Sequence, residues 1–487
     1  MRVGSSRWAD ELSGSSLLQR GRAAAQPFRT RRYDSGVTRP PEPTADVPAR
    51  PRPARRSPSD LPFRFADRGL AQALAAEREE PAWLRAERIE AWKAFEALPV
   101  EANQLYTPYI DLRLASLEEV RPYVKDGPPG LGDDLAALPR LPSSVVVETM
   151  NQWLERDPKA FKAALEGGAG LPAGDKLAML ARGFWSHGRH VEIPAGVTVD
   201  EPIVIRWPGA VPGRALISRT IVTLGAGASA SLVEEQVPCG PDIECAEGET
   251  VPQGLFHGTT EVTLGEGANL ALASIQQMNA GQVVFQHRHA RIGDGASLHW
   301  ALAQLGGRLV RSRVDNRLEG DRSSVEQVEI VFGGEQQLFD LTSYTRHIGR
   351  DTTGNLLSKG ALLDRSRSFM KGLITIEKSA VGTDSFLGEF GMNLSKAARA
   401  VAIPSLEIDQ PDCRRAAHSS SVGPIDPTQL FYLESRGIPP DEARKFIVLG
   451  FLEPVVARVP LDSARDDLRG LLEDKWAAGL EAASAAA

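Results

Sequence analysis

A chain of 487 residues is too long for one ordinary hydrophobic core, so two or three domains are expected. Its 42% hydrophobic and 24% charged residues match a water-soluble globular protein, and no apolar run approaches the ~18 residues that would argue for a membrane span. The net charge of −7 is uneven: residues 1–60 hold twelve Arg against six acidic residues, a balance of +6, which leaves −13 for the rest and makes nucleic acid a poor partner.

The start of the chain lacks the apolar core of a secretory signal. It is Arg- and Ser-rich, as a transit peptide would be, but Asp10 and Glu11 count against that, and residues 1–60 read as a disordered Arg/Pro arm. Cys239, Cys245 and Cys413 make no disulfide framework and point to a reducing compartment, hence the cytoplasm. Order should begin near Pro62. Two helices broken at Pro81 follow, with Trp83, Ile89, Trp92 and Phe95 at helical spacing. A further helix is expected through "SVVVETMNQWLERDPKAFKAALEGG", ending at Gly167 and Gly168. Residues 61–170 are thus a helical N-terminal domain.

Residues 171–424 change texture: short β-prone runs alternate with turn residues, and helical periodicity is nearly absent. One phrase recurs, as "LGAGASASL" from Leu224, "LGEGANLAL" from Leu264 and "IGDGASLHW" from Ile292, with a weaker copy "LEGDRSSVE" from Leu318. Each copy sets an apolar residue before a glycine turn and then an alternating strand, in which Leu298, Trp300 and Leu302 share one face. Such a repeat predicts a right-handed parallel β-helix, each coil burying its apolar face on the next; a β-sandwich is the rival. Residues 425–487 are helical again. Asp426 and Pro427 open one helix and Gly437 stops it; a second carries Ala443, Phe446, Ile447 and Phe451 on one face and should kink or divide at Pro454; "DSARDDLRGLLEDKWAAGL" is a third.

Phosphate-loop, nucleophile-elbow and zincin motifs are absent, so no nucleotide should bind to this chain and no catalysis of its own is expected. Cys239 and Cys245 sit six apart in an acidic loop and read as unligated. His187 and His190 in "HGRH", and His287 and His289 in "HRH", lack clustered carboxylates and read as surface strand residues; "RSRSFMKG" reads as a solvated edge. On residue type alone, His418 and Cys413 are structural.

Here a resemblance enters. The segments "SFMKGLITIEKSAVGTDSFLGEFGMNLSKAARA", "PSLEI", "HSSSVGPIDPTQLFYLESRGIP" and "EARKFIVLGFLEPVV", over residues 365–460, resemble the SufB/SufD family, the scaffold subunits of SUF iron–sulfur cluster assembly. Weaker similarity extends upstream through "KLAMLARGFWSHGRHVEIPAGVTVDEPIVI". Where the SufB type has a Cys before "DS", this chain has Thr383, so it is SufD-like. His418 matches the His of the SufD pattern C-x-H-G-x-T-x-G, but Ala416 and Ser419 replace its Cys and first Gly, and Cys413 aligns only through an insertion.

The resemblance implies a non-catalytic scaffold, a SufB-like partner joined through the β-helix, and a SufC-like ATPase docked on the C-terminal helices. It also implies a transient Fe–S cluster, shared with the partner, for which His418, and less directly Cys413, would be ligands. The Ser/Gly loop from His418 would close the solenoid at its partner-facing end. A SufB-type subunit and a β-helix carbohydrate-active enzyme are the alternatives; the latter would need paired carboxylates in a groove.

Overall fold

The computed structural model describes residues 64–132, 141–167, 171–240 and 253–485, so the Arg/Pro arm read over 1–60 and Cys245 lie outside the described residues. The N-terminal layer opens with α1 (Arg68–Glu77), where the Asp67 carboxylate accepts the Leu70 amide at 2.7 Å. After Pro81 comes α2 (Ala82–Ala97). A two-residue strand β1 (Arg121–Pro122) precedes β2 (Val146–Thr149), α3 (Met150–Arg156), α4 (Pro158–Gly167) and α5 (Lys176–Phe184). The single helix expected here is therefore a strand and two helices. Its β-branched start pairs antiparallel with the next strand, Thr149 and Gln152 form a reciprocal cap, and Pro158, which has no amide to donate, starts a new helix.

The solenoid follows in eight coils of two strands. They are β3 (His187–Ile193) with β4 (Ile203–Pro208), β5 (Arg214–Leu224) with β6 (Ser229–Val237), β7 (Gly254–Leu264) with β8 (Asn269–Gln276), and β9 (Gln282–Ile292) with β10 (Ser297–Gln304). Then come β11 (Leu309–Leu318) with β12 (Ser324–Gly333), β13 (Leu338–His347) with β14 (Thr353–Leu362), β15 (Arg367–Ile376) with β16 (Asp384–Asn393), and β17 (Arg399–Ile408) with β18 (Arg415–Gly423). Odd strands from β3 stack into one parallel sheet and even strands into the other, in strict coil order, which the sandwich alternative does not permit.

The recurring glycine phrase is one corner of successive coils. Gly227, Gly267 and Gly295 take φ of +65°, +64° and +61° there, and in later coils Arg322 (+57°) and Asp351 (+55°) occupy the same left-handed slot. The first glycine of the phrase has a different reason: a Cβ on Gly293 would lie 2.7 Å from the Leu264 carbonyl of the coil before.

Leu298, Trp300 and Leu302 face the interior together, within a core running from Val191 to Ala400. The N-terminal layer covers the outer face of the odd-strand sheet, where Leu180, Phe184 and Trp185 meet Ile217, Leu255 and Phe285. This cover overturns the surface reading of the histidines. His190 is buried beside Glu148 at 3.0 Å, and His287 lies buried with Nε2 2.5 Å from Asp315 Oδ2 and Nδ1 3.5 Å from Asp175. His289 is buried as well. Burial alone would lower the pKa of His287, but the carboxylates of Asp175 and Asp315 raise it instead. The "RSRSFMKG" run is covered too: Lys371 is buried in an ion pair with Asp340, and Arg367 reaches Asp111 at 3.1 Å.

Three helices follow, α6 (Pro427–Glu434), α7 (Pro440–Val456) and α8 (Asp462–Ala485), of which α7 and α8 cover the outer face of the even-strand sheet. Val448, Leu452 and Val455 of α7 and Leu468, Leu472 and Trp476 of α8 pack on Ala301, Ile330 and Phe332. Pro454 does not divide α7 into two elements, because it lies only two residues from the end, where little helix remains to be broken off. No helix among the described residues is long and apolar enough to cross a membrane.

Candidate functional site: the open end of the solenoid

Strands β17 and β18 are the last members of their sheets, each paired on one side only. The stretch "HSSSVG", expected as a loop, is part of β18 and pairs parallel with β16 over Leu387–Met392. Its serines offer no apolar pattern from which a strand could be read; the ladder comes from the backbone of the preceding coil.

The ladder register decides where His418 stands. Leu356, Leu387 and His418 are aligned on β14, β16 and β18, and the two leucines are buried in the interior. His418 thus occupies an inward-facing row, and it is exposed because no further coil covers it. Its imidazole makes no hydrogen bond or ion pair with the described residues. Cys413, a half-buried free thiol in the corner before β18, packs with Leu406 and Ala416 against Ile374, Ile376 and Leu387. Both residues belong to the last coil, yet no three His, Cys, Asp or Glu side chains among the described residues converge as a metal-holding group. Ile408 (46% exposed) and Val422 (41%) leave an apolar rim on the two terminal strands.

Behind this surface lies a residue the sequence did not mark. Glu389 is 1% exposed, aligned with Ser420 of β18, and its Oε2 accepts the Ile403 amide of β17 at 2.7 Å. Burial pushes its pKa up to about 8, against the lowering effects of the Ile403 amide and Lys371. A single Glu in "FLGEFGM" carries no motif; only the closed coil reveals that it is desolvated.

A second surface lies on the C-terminal helices. Asp426 caps α6 through the Thr428 amide at 2.8 Å, as its sequence predicts, but α6 buries no residue: Phe431 is 70% exposed and Tyr432 is exposed beneath Arg436. Phe446 of α7 is 60% exposed and turns away from the face that Ala443 and Val448 bury. The helical spacing that Phe446 shares with Ala443 therefore does not make it part of the buried face.

Comparison with known proteins bears on both surfaces. Residues 208–451 match the family pattern described as "SUF system FeS cluster assembly, SufBD core domain". The chain belongs to the SufB/SufD family. It is 25% identical to the iron-sulfur cluster assembly protein SufD of Bacillus subtilis (strain 168) over 438 residues, covering 84% of this chain and 98% of that one. It is 24% identical to the SufBD family protein SH2035 of Staphylococcus haemolyticus (strain JCSC1435) over 83% of this chain and 93% of that one. With the SufBD family protein Rv1462 of Mycobacterium tuberculosis (strain ATCC 25618 / H37Rv) it shares 31% identity over 227 residues, 45% of this chain and 57% of the relative. The near-complete coverage of a SufD makes the chain SufD-like. Thr383 is buried in the corner before β16, its hydroxyl donating to the Ala380 carbonyl at 2.8 Å.

Proposed function

We propose that this SufD-like chain is a non-catalytic, cytoplasmic scaffold that pairs with a SufB-like subunit through the open end of its solenoid. It docks a SufC-like ATPase on α6 and α7, binds no nucleotide itself, and helps hold an Fe–S cluster in transit as cargo. The observation that carries the reading is the termination of both sheets on unpaired edge strands with an apolar rim and an exposed, uncovered His418. Unpaired edges recruit another chain's strands, and a second subunit would bury Ile408 and Val422 while placing its own side chains beside His418.

Imidazole and thiolate both suit iron, and His418 and Cys413 together supply too few donors for a cluster, so the remaining ligands belong to the partner. The test is anaerobic reconstitution of the complex co-expressed with SufB-like and SufC-like subunits, read by absorbance and bound iron. His418→Ala should lower cluster yield severalfold while the three chains still co-purify, and His418→Cys should retain more than Ala. Normal yield from a folded His418→Ala complex removes His418 from the reading; failure of the wild-type chain to co-purify with a SufB-like subunit removes the pairing.

A further inference from the structure

At the other end of the molecule, where the helical layer meets the first coil, lies a cavity of about 580 Å³ that the scaffold function does not use. Its size falls within the ~300–1,000 Å³ of small-molecule sites. Two arginines, Arg88 buried and Arg78 half-buried, converge beside it on one indole: their guanidinium carbons each sit 4.7 Å from the Trp185 ring. There is one buried carboxylate between them, and Arg88 takes it whole, bonding both oxygens of Glu80 at 2.6 and 2.7 Å.

Arg78, which lines the cavity, is left with a backbone carbonyl. Its Nη2 donates to the Ser186 oxygen, and its Nη1 is buried with no partner. Two more nitrogen groups line the same space. Arg189 donates to the Gly132 carbonyl at 3.0 Å, and the Nδ1 of His187 lies 2.9 Å from the Ser186 hydroxyl. Lys125 is spent at the rim on Glu77, at 3.0 Å. A buried guanidinium nitrogen without a hydrogen-bond partner is costly, and a forked donor of this kind fits paired anionic oxygens.

We infer that this cavity binds a small phosphorylated molecule whose anionic oxygens complete Arg78 and face His187 and Arg189. A phosphate near −2 suits two guanidiniums and an imidazole better than a single carboxylate, because it offers three acceptor oxygens. Burial, then Arg78 and Arg189, push the pKa of His187 down to about 4 in the unliganded site. A bound dianion reverses the sign of that field, so binding draws a proton onto the imidazole. The cavity belongs to the first coil and His418 to the last, so the ligand acts on the docking of the helical layer and not on the open end.

Calorimetric titration of the full chain with inorganic pyrophosphate tests the site. The expected result is saturable binding, weakened at least ~10-fold by Arg78→Gln and unchanged by Arg113→Gln, whose exposed side chain pairs with Asp111 elsewhere. No saturable heat, or equal affinity in Arg78→Gln, overturns the proposal. If Arg78→Gln does not fold, the wild-type chain decides. The NMR titration midpoint of the His187 ring should rise by more than ~1 pH unit under saturating pyrophosphate, and a midpoint that stays put overturns the proposal equally.

Discussion

Glu389 and His418 share the inward face of the last two coils and differ only in what covers them: Glu389 has a strand in front of it and His418 has none. The covered carboxyl pays in proton affinity. With a folded pKa of about 8 against an ordinary value of 4.5, Glu389 keeps its proton in the native state while the unfolded chain releases it. Stability should therefore fall as pH rises from 4.5 to 8 through this group, and be unaffected by it below 4.5. Gln keeps an oxygen for the Ile403 amide and cannot ionise. Glu389→Gln is expected to match the parent chain near pH 4.5 and to exceed it at pH 8 by about 1–3 kcal/mol, read from urea midpoints. An equal loss in both proteins between those pH values would mean that Glu389 ionises freely.

At the scale of elements, the corner repeat and the helical tail make separate demands. Gly293 is required by coil stacking, and the atom a Cβ would strike belongs to backbone that cannot step aside, so Gly293→Ala should cost about 2–3 kcal/mol by chemical denaturation. A cost near zero would mean the coils are less closely stacked. On α7, Phe446 packs on nothing that the fold needs. Phe446→Asp should leave thermal stability within ~0.5 kcal/mol and abolish co-purification of a SufC-like ATPase, while pairing with a SufB-like subunit persists. Retained ATPase binding would move the docking surface elsewhere. Deleting residues 426–487 is the poorer experiment, because it strips the cover from Ala301, Ile330 and Phe332.

These elements also mark how far the sequence can be read. Three glycine corners announced a solenoid, since local backbone demands leave local traces; the corner at Arg322 showed only as a weaker copy and the one at Asp351 escaped, because tertiary stacking imposes the same φ on residues with no preference for it. His287 was misplaced for a related reason. Its carboxylate Asp175 lies more than a hundred residues upstream, at the N-cap of a helix whose docking no strand pattern encodes. The exposure of His418 depends on where coiling stops, which a repeat cannot announce, and only the family resemblance singled that residue out.

Across the whole molecule, two helical layers lie on the two sheets of one solenoid, and the acid sensitivity of the protein follows from what they and the coils enclose. Burial lowers the pKa of His187, His257, His289 and His347 to about 4 each. The fold holds these imidazoles neutral, whereas an unfolded chain protonates them near 6.5, so their contribution is complete above 6.5 and lost as pH falls toward 4. Glu389 works in the opposite direction over part of that range, and His287, whose pKa is raised, is protonated in both states at pH 5. Roughly three protons should then be taken up on unfolding at pH 5, a slope of about 4 kcal/mol per pH unit. The melting temperature of the ligand-free chain should drop steeply between pH 6.5 and 5. A flat profile across that interval would show that the histidines are solvated, and with them that the helical layer does not close over the odd-strand sheet.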